Sequence, residues 1–314
     1  MKIILAPMEG VVDHAMRELL TASGDYDLCI TEFVRVVDQL YKPAYFHKIS
    51  PELRTGGMTR AGTPVRVQLL GQHADWMAEN AVRAADLGSP GVDLNFGCPA
   101  KTVNRHKGGA VLLKEPESLY RIVHAVRGAV PDHLPVSAKM RLGYEDASRA
   151  HDCARAIEAA GADMLTVHAR TKVEGYRPPA HWRKIDEIRR QVKIPLVANG
   201  DIWSRADAEN CRRISGCRDI MIGRGALCLP NLAATIRHDH PPQPWAATCD
   251  LMLRYAAFDR DKYQRGYLPS RLKQWLSYLK RHYPEAHILF DNIKRLRELE
   301  PMTDRIRRDI SAMT

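Results

Sequence analysis

The chain has no uninterrupted apolar run near the roughly 18 residues that a membrane-spanning helix requires; its longest aliphatic stretches are strand-sized. No secretory leader is expected either, because MKIILAPMEG has one lysine and a short apolar run and then meets Pro7 and Glu9. This opening reads as a first β-strand, and a cytoplasmic protein with no membrane partner is expected. There is no CxxC pair, and seven cysteines are an odd number, which argues against a disulfide framework. Cys211 and Cys217 have no second pair or histidine cluster nearby, so no metal site is expected. Most of the thiols read as small core hydrophobes. Acidic residues are outnumbered, 37 against 47 Lys plus Arg, giving a net charge of +10. That surface steers polyanions toward the protein without proving that it binds nucleic acid.

Strand-like and helix-like runs alternate from the start to about residue 238. The strand-like runs are IILAPM (3–8), LCITEFV (28–34), VRVQLLG (65–71), GVDLNFG (91–97), VSAKMRLG (136–143), MLTVHAR (164–170), PLVANG (195–200) and DIMIGRG (219–225). Between them lie amphipathic segments, several ending at glycine as helix C-termini do. Eight mostly apolar strands separated mostly by helices predict a (β/α)8 TIM barrel, an α/β fold, over residues 1–242. The stretch YKPAYFHKISPELRTGGMTRAGTP (41–64) has weak periodicity and is expected to be a long loop. After the proline cluster HDHPPQPW the pattern is purely helical, predicting a small all-helical C-terminal domain over 246–314. A monomer is expected.

In such a barrel the chemistry sits where the strands end. Read at those positions, the chain offers Met8 and Glu9, Glu32 and Arg35, Gln68, Asn95 and Cys98, Lys139 and Arg141, His168 and Arg170, Asn199 and Asp201, and Gly223 and Arg224. Any one of these has an ordinary explanation as a cap or surface charge; their convergence is the signal. ANGDIWS and GRGALCLPN put glycines beside Arg224, where backbone N–H groups can approach a phosphate, although Asp201 could equally cap the next helix. Lys139 interrupts an otherwise apolar strand, so its ammonium needs either a buried carboxylate partner or an anionic ligand at the mouth. His168 reads as a structural hydrogen-bonder or as a member of the site.

PMEG (7–10), RVQLLG (66–71), DLNFGCPAKTVN (93–104), KMRLG (139–143), VHAR (167–170), ANGDI (198–202) and MIGRGAL (221–227) resemble the tRNA-dihydrouridine synthases. Within that family, TEFVRVVDQL, VEGYR and RLKQWLSYLK are similar to the subgroup acting on uridine 16 of the D loop. The resemblance implies FMN at the mouth, with contacts from Pro7, Met8, Glu9, Gln68, Lys139 and His168, and its phosphate among Asn199, Gly200, Asp201, Gly223 and Arg224. It implies NADPH, or NADH, as reductant, hydride delivery to uracil C6, and a proton for C5 from Cys98. A free thiol has a pKa of about 8.5 and is mostly protonated at neutral pH. Asn95 and Arg141 would hold the uracil edge, with Tyr176 beside the base and Arg35 on the tRNA.

A flipped base requires grip elsewhere on the RNA. KYQRGYLPSRLKQWLSYLKR (262–281) holds basic residues, no acid and interleaved aromatics. On a helix from about 270, Leu272, Trp275, Leu276 and Leu279 form an apolar stripe, leaving Arg271, Lys273, Lys280 and Arg281 on the polar arc for phosphates. The ordinary alternative is a solvated basic face. Other readings are reduction of another tRNA uridine such as position 20, reduction of a free pyrimidine, and a non-catalytic RNA binder that kept the barrel.

Overall fold

The structure, a computed structural model, describes residues 1–258 and 266–311. Its eight strands are β1 (Ile3–Leu5), β2 (Leu28–Arg35), β3 (Val65–Leu70), β4 (Val92–Phe96), β5 (Val136–Arg141), β6 (Met164–His168), β7 (Leu196–Asn199) and β8 (Asp219–Ile222). They pair in chain order, all parallel, and β8 closes on β1 to complete the barrel. All eight expected strands are present, and each stops at or within one residue of its polar mouth residue except β1, which ends at Leu5, and β3, which ends at Leu70, two residues past Gln68.

Period-2 alternation explains how a chain so apolar in its strands keeps a polar interior. Val92, Leu94 and Phe96 of β4, and Val136, Ala138 and Met140 of β5, belong to the large core shared with the helices. The residues between them point inward: Asp93, Asn95, Ser137, Lys139 and Arg141. On the opposite side, Ile4, Ala6, Ile30, Val197 and Met221 form a separate small apolar cluster. The barrel lumen is therefore apolar on the β1, β2, β7 and β8 side and polar on the β3, β4 and β5 side.

The expected loop at 41–64 instead contains the α-helix Pro43–Ile49 and a 3-10 turn at Pro51–Thr55. These elements are too short to show a helical period. Tertiary contacts hold them: Phe46 is buried, and Glu52 forms a fully buried ion pair with Arg17 at 2.7 Å. Likewise the segment after Cys98 holds the helix Lys101–Arg105 and a 3-10 turn at Gly109–Lys114.

Beyond the prolines come the helices Trp245–Ala257, Tyr267–Leu279, Glu285–Ile293 and Leu299–Ser311, with no strand among the described residues. The stripe Leu272, Trp275, Leu276 and Leu279 is buried as expected, in the same continuous core as the barrel helices. Trp275 donates its indole N–H to the Leu227 carbonyl at 3.1 Å, seating the helix Tyr267–Leu279 over the turn that follows β8. Lys262, Tyr263 and Arg265 of the basic run lie outside the described residues.

Candidate active site

The C-terminal ends of the strands surround a cavity of about 640 Å³. Pro7, Met8, Glu9, Gln68, Asn95, Cys98, Lys139, Arg141, His168, Tyr176, Asn199, Gly200, Asp201, Gly223 and Arg224 all line it. Residues scattered over more than 200 positions of sequence thus meet in one space, as the barrel register requires.

A hydrogen-bonded ladder climbs its polar wall. Arg66 donates to Ser137 Oγ, and Ser137 donates to Asp93. Asp93 also accepts from Gln68 Nε2 at 2.7 Å, and Gln68 Oε1 accepts from Asn95 Nδ2 at 2.7 Å. Asn95 Oδ1 then accepts the backbone N–H groups of Gly97 and Cys98, both at 2.9 Å. From Ser137 upward each side chain bonds the next, so the position of Cys98 is referred back to the barrel interior, while Arg66 Nε at the foot has no partner among the described residues. Asn95 keeps one amide N–H beyond these contacts.

Cys98 is partly buried. Burial pushes its thiol up, the Ala100 N–H opposes this, and Glu9 adds to the rise; the neutral SH form is favoured. The loop behind it folds back, with Asn104 Nδ2 and the Ala110 N–H both donating to the Cys98 carbonyl, at 2.9 and 3.1 Å. Arg141 braces the other side: Nε donates to the Gly97 carbonyl and Nη1 to the carbonyls of Thr171 and Gly175. Its guanidinium lies 5.3 Å from the Tyr176 ring. Glu9, beside Glu32, is pushed up to about 7, by burial first and then by its neighbour.

Lys139 is pulled down to about 8, chiefly by burial and then by Arg141. Its ammonium donates to Asn199 Oδ1 at 3.2 Å. His168 is buried and held well below 6.5 by burial and by Arg141, Lys139, Arg170 and Arg224, so the imidazole is neutral. Its Nδ1 has no hydrogen-bond partner among the described residues. A neutral histidine with an unused ring nitrogen and a half-satisfied ammonium on one wall constitute a donor set for a polar, anionic ligand.

Beyond them the loop after β7 has Gly200 at φ +125° and Asp201 at φ +52°. The Asp201 carboxylate lies between Arg170 and Arg224, so it orients Arg224. It does not cap the next helix, which Ser204 caps. A Cβ on Gly225 would fall 2.1 Å from the Ile202 carbonyl oxygen, which makes that glycine a packing requirement. Trp203 and Tyr278 also line the cavity and were not expected. Trp203 follows the glycine loop directly, a signal that was available; Tyr278 arrives from the helix Tyr267–Leu279 only through tertiary packing.

The expected tRNA residues fall into two groups. Arg35 ends β2 near Cys98 and Tyr45, where its charge opposes the rise of both groups, but it does not line the cavity. Lys273 donates to the Leu296 carbonyl at 3.1 Å, Lys280 lies 3.3 Å over the Phe290 ring, and exposed Arg281 lies 3.8 Å over Trp203. Arg271 departs from expectation: it is 7% exposed, turned against the loop after β1 and not onto the polar arc. The helix begins at Tyr267, and acceptors on the loop after β1 draw this guanidinium inward.

Residues 4–307 match the sequence family described as "Dihydrouridine synthase (Dus)". The chain belongs to the dihydrouridine synthase family. It is 56% identical over 294 residues to a Shewanella oneidensis protein named tRNA-dihydrouridine(16) synthase, covering 94% of this chain and 93% of that one. Proteins of the same name from Vibrio cholerae and Escherichia coli K12 are 50% and 52% identical, over 98% and 94% of this chain and 96% and 94% of theirs. Among solved structures, morphinone reductase in complex with tetrahydroNAD matches with TM-score 0.55 and 13% identity, over 77% of this chain and 88% of that one. An old yellow enzyme homologue from Zymomonas mobilis gives 0.53 and 16%, over 77% and 90%. At that identity the two structures support the barrel fold alone. This member of the dihydrouridine synthase family therefore carries the family's sequence through both the barrel and most of the helical segment.

Proposed function

We propose that the chain is a tRNA-dihydrouridine synthase that reduces uridine 16 in the D loop, with FMN in the cavity and NADPH, or NADH, as reductant. The observation that carries the reading is the placement of a neutral, partly buried Cys98 thiol across one cavity from Lys139, neutral His168 and Arg224. The names of the relatives, matched over nearly the whole chain, support the substrate.

The residues fit a flavin mononucleotide. The unused Nδ1 of His168 and the Lys139 ammonium suit the polar edge of its ring system, and Arg224, oriented by Asp201, suits its phosphate together with Gly200 and Gly223. A flavin held there and reduced by the nicotinamide would supply the hydride for uracil C6. Cys98 holds the proton that C5 then takes, leaving a thiolate that solvent reprotonates. Asn95, with its remaining N–H, and Arg141 orient the uracil edge, and Tyr176 contacts the base. Lys139, once beside an anion, is held protonated, which stabilises negative charge on its ligand. The helical segment 246–314 grips the tRNA through Lys273, Lys280 and Arg281, with Arg35 at the rim.

Mapping dihydrouridine in tRNA from cells with and without the gene tests the substrate: loss at position 16 alone is expected. Loss at position 20 instead refutes the position, and turnover of free uridine or orotate without tRNA refutes the substrate class. In vitro, Cys98→Ser is expected to retain flavin and lose about 100-fold in turnover, within the usual range for a missing general acid. Turnover at the unaltered rate would remove Cys98 from the mechanism.

A further inference from the structure

Arg271 belongs to the helical segment, yet its side chain ends in the loop between β1 and the helix His14–Ser23. All five of its N–H donors have acceptors. Nε donates to Tyr255 Oη at 3.1 Å. One Nη1 bond goes to the Gly10 carbonyl and the other to Gln274 Oε1. Nη2 serves the Val11 carbonyl and Asp13 Oδ2, the latter at 3.3 Å. Asp13 Oδ2 also accepts from Tyr255 and Tyr267, at 2.9 and 3.1 Å, while its Oδ1 caps the helix His14–Ser23 through the Met16 N–H. From the barrel side, Glu32 accepts the Gly10 N–H.

The clamped residues directly follow Pro7, Met8 and Glu9, which form one wall of the cavity. β1 itself ends at Leu5, so this wall is loop, and the Gly10 and Val11 carbonyls just after it are held by the helical segment. A planar guanidinium is the side chain suited to spanning several acceptors at fixed angles; an ammonium on the same stem is a point donor. Tyr278, about two turns further along on the same helix face, also lines the cavity.

We infer that Arg271 is a positioning residue for the flavin pocket: through the carbonyls of Gly10 and Val11 it fixes the Pro7–Glu9 wall, making the helical segment part of the cofactor site. This rests on the reading that the cavity binds FMN. The clamp itself is independent of that reading and is measured separately.

The experiment compares the full-length protein with Arg271→Gln, reading FMN dissociation by flavin fluorescence titration and backbone hydrogen exchange over residues 7–13, both without RNA. The expected result is a tenfold or greater rise in the FMN dissociation constant, with at least tenfold faster exchange at Gly10, Val11 and Val12. A dissociation constant within twofold of the unaltered protein, with or without faster exchange, overturns the inference; so does unchanged exchange. If the unaltered protein binds no FMN, the flavin reading fails, and exchange alone then decides the clamp. Should Arg271→Gln fail to fold, Arg271→Lys keeps the stem and charge but loses the fork, and the same two readouts must move threefold or more.

Discussion

Gly108 and Gly109 are adjacent, yet the structure assigns them different costs on substitution. Gly109 has φ +67°, a conformation that costs an L-residue roughly 1–2 kcal/mol. An added Cβ there would lie 2.9 Å from the Cys98 carbonyl oxygen and 3.0 Å from Cys98 Cβ. Ordinary carbon contacts are about 3.5–4.0 Å, so the two segments must part by about half an ångström. The Cys98 carbonyl is tied to Asn104 and Ala110, so movement carries the cysteine with it. Gly109→Ala is therefore expected to destabilise by about 2–3 kcal/mol, lowering Tm by about 3–5 °C for a chain of this length. Because a misplacement of about 1 Å can cost roughly 100-fold in rate, half of that predicts about a tenfold fall in turnover. Gly108 has φ −111°, and its nearest obstacle is the movable Leu70 Cδ2 at 3.1 Å, so Gly108→Ala should stay within about 0.5 kcal/mol. Thermal melting and single-turnover dihydrouridine formation on a tRNA transcript measure both variants. A Gly109→Ala protein that melts early but reacts at the unaltered rate would refute the link between loop geometry and Cys98. Equal behaviour of the two variants would refute the steric argument itself.

Other consequences are tested more briefly. His168 is held neutral in the folded chain while an unfolded histidine takes a proton below about 6.5. Stability is therefore lost as pH falls below that value, and His168→Gln should flatten the slope of denaturation midpoint against pH from about 6.5 to 5. Lys139 behaves in the same direction at higher pH, since its folded value of about 8 lies below the ordinary 10.5. Its charge costs stability below about 8, and that cost is relieved between about 8 and 10.5. Lys139→Met should abolish this rise, seen as a loss of slope in urea midpoints across that window. The Arg17–Glu52 pair, both side chains fully buried, should lose about 3–5 kcal/mol in Glu52→Gln if an uncompensated guanidinium is left behind; an equilibrium unfolding change under 1 kcal/mol would contradict it.

Strands, barrel order and mouth residues were legible because each depends on short-range pattern. A parallel strand buried on both faces is a compact apolar run, and a polar residue at its end has few places to go but the mouth. Asp93 and Ser137 were legible only as strand members, because their inward placement and mutual bonding depend on which strands become neighbours and in what register. The 41–64 segment was misread because two short turns owe their helicity to Arg17, a residue far away in sequence, and not to any period of their own.

Arg271 marks the boundary most clearly. The helical period correctly set Leu272, Trp275, Leu276 and Leu279 in the core, but it treats everything off the stripe as facing water. What lies beside a helix is decided by the rest of the fold: here the loop after β1 presents two carbonyls and a carboxylate to that flank and takes the guanidinium out of solvent. The sequence alone determined an eight-stranded barrel with a polar mouth, a cysteine at the end of β4 and a basic helical tail. Only the tertiary structure decided which of those polar groups are already satisfied by one another and which, such as His168 Nδ1, are left for a ligand, because satisfaction is a property of neighbours in space.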